Sequence, residues 1–248
     1  MAQAVEQAKG NLARANRILV IQGVLDAFGH VSCRSPENSD RFLLSRSLAP
    51  EQVTANDILE FDLSSQPLAA GAPALYSERV IHGAIYRARP DVMAICHHHA
   101  AAILPFCLTD LKLQVVTQLG ACIGSSSTPM WDQRTEFGAT NHLVTTEPQA
   151  QSLARSLGDY PMVLMRRHGA TVVGSALDEL VFRCVYSCRD ADLQLRARQY
   201  GTIDAFTDAE IRLAAQFPRT TLVRAWDYWS DTLVASDATR TNVETETA

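Results

Sequence analysis

No apolar run in this chain is long enough to cross a bilayer, and Met1-Ala2-Gln3-Ala4-Val5-Glu6-Gln7 lacks the basic-then-apolar plan of a secretion signal. The expectation is a cytoplasmic protein without a membrane partner. There is no basic stripe, and the net charge is -5, which argues against a nucleic-acid surface. There is no C-x-x-C pair either. Cys33, Cys96, Cys107, Cys122, Cys184 and Cys188 mostly lie in apolar contexts, as reduced, buried thiols do. Internal repeats and low-complexity linkers are also missing; only 236–248 is polar enough to be a loose tail. What is present is 248 residues that are 47% hydrophobic and 20% charged, enough for one large α/β core spanning 1–248.

Three of the seven histidines stand together as His97-His98-His99, closing the apolar run Val92-Met93-Ala94-Ile95-Cys96. Alternate side chains of an extended chain share a face, so His97 and His99 can grip one ion while His98 points away. Imidazole ligates Zn, Mn, Fe or Co readily, and a catalytic ion usually takes three protein ligands and keeps one position open. His168 is the best third ligand. It follows a second β-type run, Met162-Val163-Leu164-Met165, and Gly169 lets the backbone approach closely. The same spacing also suits ordinary strand-end histidines.

Upstream, Val80, Ile81, Ala84 and Ile85 repeat at helical spacing, so the segment reads as an amphipathic helix opening at Ser77. Glu78 then sits in the first turn, where the helix dipole favours a carboxylate. Such a group either stabilises the helix start or carries a proton.

The ordered set Ser77-Glu78, helix, Arg89-Pro90-Asp91-Val92, His97-x-His99 and His168-Gly169 resembles the class II aldolase and adducin family over about residues 10 to 200. The resemblance implies that His97, His99 and His168 hold one divalent metal per chain and that Glu78 is the acid/base beside it. It implies a three-layer α/β/α domain with a mixed central sheet, assembled as a homotetramer. Members that act on sugar phosphates hold the phosphate with a Gly-Asn turn, a Ser/Thr-Gly loop and a Ser-Ser pair. Here those places read Gly29-His30, Ser45-Arg46-Ser47 and Tyr76-Ser77. A planar guanidinium suits a carboxylate held by paired hydrogen bonds better than glycine-rich turns do. With 20 arginines among the 22 basic residues, one arginine alone is weak evidence.

The set therefore resembles the decarboxylase branch, which acts on hydroxylated aromatic acids such as 3,4-dihydroxyphthalate or on carboxymuconate semialdehydes. The expected activity is a metal-dependent carboxy-lyase in aromatic catabolism, with a small carboxylic acid anchored by His30, Ser45, Arg46 and Ser77. An aldolase or epimerase of a small hydroxy or keto substrate is the first alternative, and a non-catalytic adducin-like scaffold the second.

Along the chain, periodicity predicts a helix from about Glu6 to Ala27, strands between Val31 and Leu63, and a turn at Pro67–Pro73. It further predicts a helical stretch at Ala100–Leu108 and short strands at Leu113–Val116 and Ala121–Ile123. A polar loop follows at Gly124–Trp131, then a helix at Gln149–Leu157. A long helix opens at Asp178, with Val181, Cys184, Val185 and Cys188 as its apolar stripe.

Overall fold

The computed structural model describes the backbone of residues 2–246 and the side chains of residues 3–234. Helix α1 (Ala2–Ile21) leads into the antiparallel meander β1 (His30–Arg34), β2 (Arg41–Ser45) and β3 (Ile58–Asp62). Helix α2 (Val80–Ala88) carries the chain back to β4 (Ala94–His98), which lies beside β1. Then come α3 (Leu104–Leu108), β5 (Met130–Trp131), α4 (Arg134–Phe137) and α5 (Glu147–Leu157). The hairpin β6 (Met162–Met165) and β7 (Gly169–Gly174) precedes α6 (Leu177–Ala197), α7 (Asp208–Ala214) and α8 (Arg219–Glu246). The expected loose tail at 236–248 falls outside the residues whose side chains are described.

The seven-stranded sheet runs β3-β2-β1-β4-β7-β6-β5, antiparallel except for the β5–β6 pair. Strand alternation divides its side chains into two cores. Leu43, Cys96 and Val172 pack with Leu12 and Ile18 of α1 and with Val181 and Cys184 of α6. Phe42, Leu44, Ile95 and Val173 pack with Ile81 and Ile85 of α2 and with Leu153 of α5. The result is an α/β/α stack around a mixed sheet. Each fully buried large apolar side chain in these layers contributes about 1.5 to 3 kcal/mol. Strand β4 lies between β1 and β7, so its end is the place where three strands converge.

Several local expectations are corrected. Helix α1 stops at Ile21 rather than near Ala27, because Gly23 takes φ 71° and the Gly23 and Val24 N–H groups bond back to Val20 and Leu19. Ser77 does not cap a helix: Ser77–Arg79 is a 3-10 turn that runs into α2. Only Leu104–Leu108 of the Ala100–Leu108 stretch is α-helical, with Pro105 in the first turn where its missing N–H costs nothing. Leu113–Val116 is not a strand. Its N–H groups at Gln114 and Val116 bond to the Gln194 and Asp190 side chains of α6 instead of a neighbouring backbone. Residues Leu119–Ile123 form a 3-10 helix, not a strand. The Gly124–Trp131 loop ends in β5, which pairs with β6.

Candidate metal centre and its pocket

Three backbone devices bring the site residues together. Gly29 adopts φ 90° and passes so close to β4 that a Cβ there would stand 2.8 Å from the His97 carbonyl oxygen; His30 is then paired with His97 in register. Gly169 approaches closer still, since a Cβ would lie 2.2 Å from the His98 carbonyl. The β6–β7 turn places Arg167 at φ 61°, a left-handed conformation that costs a non-glycine residue on the order of 1 kcal/mol, and projects His168 over the end of β4.

The His97, His99 and His168 Nε2 atoms form a triangle with edges of 3.1, 3.2 and 3.0 Å. Glu78 Oε2 stands 3.7 Å from His97 Nε2 and 3.6 Å from His168 Nε2, and the four ligand atoms all lie within 4.8 Å of one another. The outer nitrogens decide what the inner ones carry. His97 Nδ1 lies 3.1 Å from the Ala170 carbonyl and His168 Nδ1 lies 2.6 Å from the His142 carbonyl. A carbonyl only accepts, so both Nδ1 atoms donate, and in the neutral rings both Nε2 atoms turn lone pairs toward each other. Lone pairs at this distance repel unless a cation lies between them.

Two nitrogens at about 2.0 to 2.1 Å from one ion stand about 3.0 Å apart at a right angle and about 3.4 Å apart at the tetrahedral angle. The observed edges fall in that range. The residues therefore fit a divalent ion.

Electrostatics agree with a closely coupled group. Burial, and then the crowding of the His168, His30 and His99 rings, which disfavours placing a positive charge among them, holds His97 well below the ordinary imidazole range. Burial pushes Glu78 up, but the His168 ring and the Val144 N–H outweigh it, leaving the carboxyl below its usual value. The Val144 N–H donates to Glu78 Oε1 at 2.9 Å, which leaves Oε2 facing the histidines.

Above the cluster opens a cavity of about 620 Å³ whose wall includes His30, Leu48, Tyr76, Ser77, Glu78, His99 and His168. Of the expected anchors, His30 and Ser77 line it. Arg46 does not: its Nε donates to Asp57 Oδ1 at 2.7 Å, outside the cavity wall. Ser45 is also displaced from it, with its Oγ 3.1 Å from the Tyr76 hydroxyl, which donates to the Leu48 carbonyl at 2.6 Å. Ser45, at the end of β2, and Arg46, just after it, thus stand outside the cavity wall.

Several supporting groups escaped the sequence reading. Ala170 follows from register once β4 and β7 are paired, but the four-residue run of β7 between Gly169 and Gly174 is too short to stand out. His142 and Val144 belong to a loop with no local periodicity, and His142 takes φ 63° to deliver its carbonyl. His82, four residues after Glu78 on the same helical segment, did carry a signal: i and i+4 share a face.

Comparison with known proteins places this geometry in context. Residues 10–195 match the Class II Aldolase and Adducin N-terminal domain. The chain is 31% identical over 234 residues to Decarboxylase tropJ of Talaromyces stipitatus, covering 83% of this chain and 86% of that protein. It is 28% identical over 211 residues to 3,4-dihydroxyphthalate decarboxylase of Arthrobacter keyseri, covering 78% and 80%. In structure it resembles L-fuculose 1-phosphate aldolase from Glaciozyma antarctica PI12, with a TM-score of 0.77, 20% identity and coverage of 94% and 90%, a likeness of fold.

Proposed function

Since the chain belongs to the class II aldolase and adducin family, we propose that it is a divalent-metal-dependent decarboxylase of a hydroxylated aromatic or muconate-type acid, of which 3,4-dihydroxyphthalate is the type. The observation that carries this reading is the inward-facing histidine triangle with Glu78 at 3.6 Å, set at the base of a 620 Å³ cavity. Two relatives named as decarboxylases support the reaction class.

His97, His99 and His168 would hold the ion, which when bound supplies a Lewis acid that draws electron density from a substrate hydroxyl or keto oxygen. Everything else falls to side chains. Glu78, fixed through Oε1 by the Val144 N–H, has Oε2 free to take the proton of the substrate hydroxyl. With that oxygen deprotonated, electron density moves to the carbon that bears the carboxylate, Glu78 returns the proton to that carbon, and the bond to the carboxylate then breaks, its electron pair going back into the ring as carbon dioxide leaves. His30 and Ser77 orient the acid, and the Tyr76 ring beside His30, with centroids 4.8 Å apart, gives the substrate ring an apolar wall. A cavity of this size matches one ring with its carboxylates and hydroxyls. The chain acts as a homotetramer in this reading, in keeping with the family resemblance.

The test is carbon dioxide release from a panel of hydroxylated aromatic acids by metal-loaded protein. Release from at least one of them is expected. Efficient cleavage of sugar phosphates with no carbon dioxide from any acid would replace this reading by the aldolase alternative.

A further inference from the structure

Behind the cavity wall runs a buried chain of polar atoms. His30 Nδ1 lies 2.6 Å from His82 Nε2, His82 Nδ1 lies 2.6 Å from Ser32 Oγ, and Ser32 Oγ lies 2.8 Å from the Tyr86 hydroxyl. His82 and Ser32 are fully buried, and Tyr86 and His30 are 1% and 4% exposed. Strand alternation puts His30 and Ser32 on one face of β1, and helical spacing puts His82 and Tyr86 on one face of α2. Each contact holds one hydrogen, so its direction can be counted.

Burial pushes the Tyr86 hydroxyl well above its ordinary pKa, so it keeps its hydrogen, and Ser32 Oγ is its one hydrogen-bond partner among the described residues. Tyr86 therefore donates to Ser32. Ser32 Oγ, whose only other hydrogen-bond partner among the described residues is the His82 ring, then sends its own hydrogen to His82 Nδ1. A buried imidazole with no carboxylate against it is neutral, so the His82 hydrogen sits on Nε2 and goes to His30 Nδ1. Running the chain the other way would leave the Tyr86 hydrogen with no acceptor in a site closed to water, at a cost of about 1 to 3 kcal/mol.

We infer that His30 is a hydrogen-bond donor locked in one tautomer, presenting Nε2–H to the cavity for an anionic oxygen of the substrate, with Ser32 and His82 as the positioning residues that lock it. The inference rests on the reading of this cavity as the substrate site. Its consequence is a division of labour. With Nδ1 occupied by the His82 N–H, His30 has no free lone pair and cannot take a proton, which leaves that work to Glu78. The donor suits carboxylate and phenolate oxygens and gains nothing from a group that only donates.

The experiment is a two-bond proton–nitrogen correlation on zinc-loaded protein labelled with 15N-histidine, the His30 signals being assigned by their loss in His30→Gln. The expected spectrum shows hydrogen on Nε2 and a bare Nδ1; hydrogen on Nδ1 overturns the inference. Ser32→Ala should admit the second tautomer and raise KM for a carboxylated aromatic substrate by about two- to tenfold at unchanged zinc content, the scale of one hydrogen bond. Ser32→Thr, which keeps the hydroxyl, should restore both. An unmixed Nε2–H tautomer in Ser32→Ala overturns the positioning role. Because the tautomer is read without substrate, it stands or falls separately from the decarboxylase reading.

Discussion

His97 and His98 are consecutive, both fully buried, and surrounded by opposite things. His97 faces the α2 side, where Nδ1 is tied to the Ala170 carbonyl and Nε2 meets two other imidazoles and a carboxylate. His98 faces the α1–α6 core, where Nδ1 accepts the Ala100 N–H at 3.3 Å and Nε2 has no partner among the described residues. Burial, and then the nearby His99, pushes the His98 pKa down to about 3. Burial is common to both rings, so it cannot be what sets His97 apart. What separates them is convergence: lone pairs from three segments aimed at one point, with the outer nitrogens already committed.

The sharpest way to break that contrast is to remove a converging ring. His97→Ala and His168→Ala should lose the metal and drop carbon dioxide release by about 10³-fold or more, since the ion's charge stabilisation is worth several kcal/mol. Full metal occupancy in His168→Ala, measured by elemental analysis, would remove that residue from the cluster. Glu78→Gln comes next: it keeps the shape but cannot shuttle a proton, so metal content stays near normal while turnover falls by about 10²-fold or more. Turnover within a few-fold of the parent would end its acid/base role.

On the other face, His98→Asn keeps an acceptor for Ala100 and should leave metal content unchanged. Its effect lies in stability against pH. The folded His98 pKa of about 3 is below that of an unfolded histidine, about 6.5, so the unfolded chain binds the extra proton. His98 therefore costs no stability above pH 6.5 and destabilises progressively as pH falls toward 3. Chemical denaturation should show the slope in that window reduced by up to about 1.4 kcal/mol per pH unit in His98→Asn. An unchanged slope would mean that the ring does not stay neutral.

The smallest effect is expected at Arg46, paired with Asp57 away from the cavity. Arg46→Lys should shift stability by about 0.2 to 1 kcal/mol, as half-exposed ion pairs do, and leave apparent substrate affinity within roughly threefold. A weakening of tenfold or more would return Arg46 to the substrate.

These contrasts also show what a sequence can and cannot convey. The spacing of His97, within β4, and His99, just after it, was legible because period-two alternation needs only neighbours in the chain, and Glu78 because a helical turn marks itself within a few residues. The β6 strand and the α5 and α6 helices were legible for the same local reason. Leu113–Val116 reads as a strand from composition, yet its backbone is satisfied by Asp190 and Gln194, more than seventy residues away. At Arg46 residue type suggested a clamp, and the bond that its Nε makes to Asp57, eleven positions on, has no signature in residue type. The carbonyl of His142 and the N–H of Val144 have no side-chain signature at all, so the groups that orient His168 and Glu78 emerge only in three dimensions.

Carbon dioxide release from 3,4-dihydroxyphthalate, followed on one preparation as purified, after chelation and after metal return, tests the central claim most directly. About one divalent ion per chain, release abolished by chelation and restored by the ion is the predicted result. Undiminished release from protein stripped of metal would contradict it.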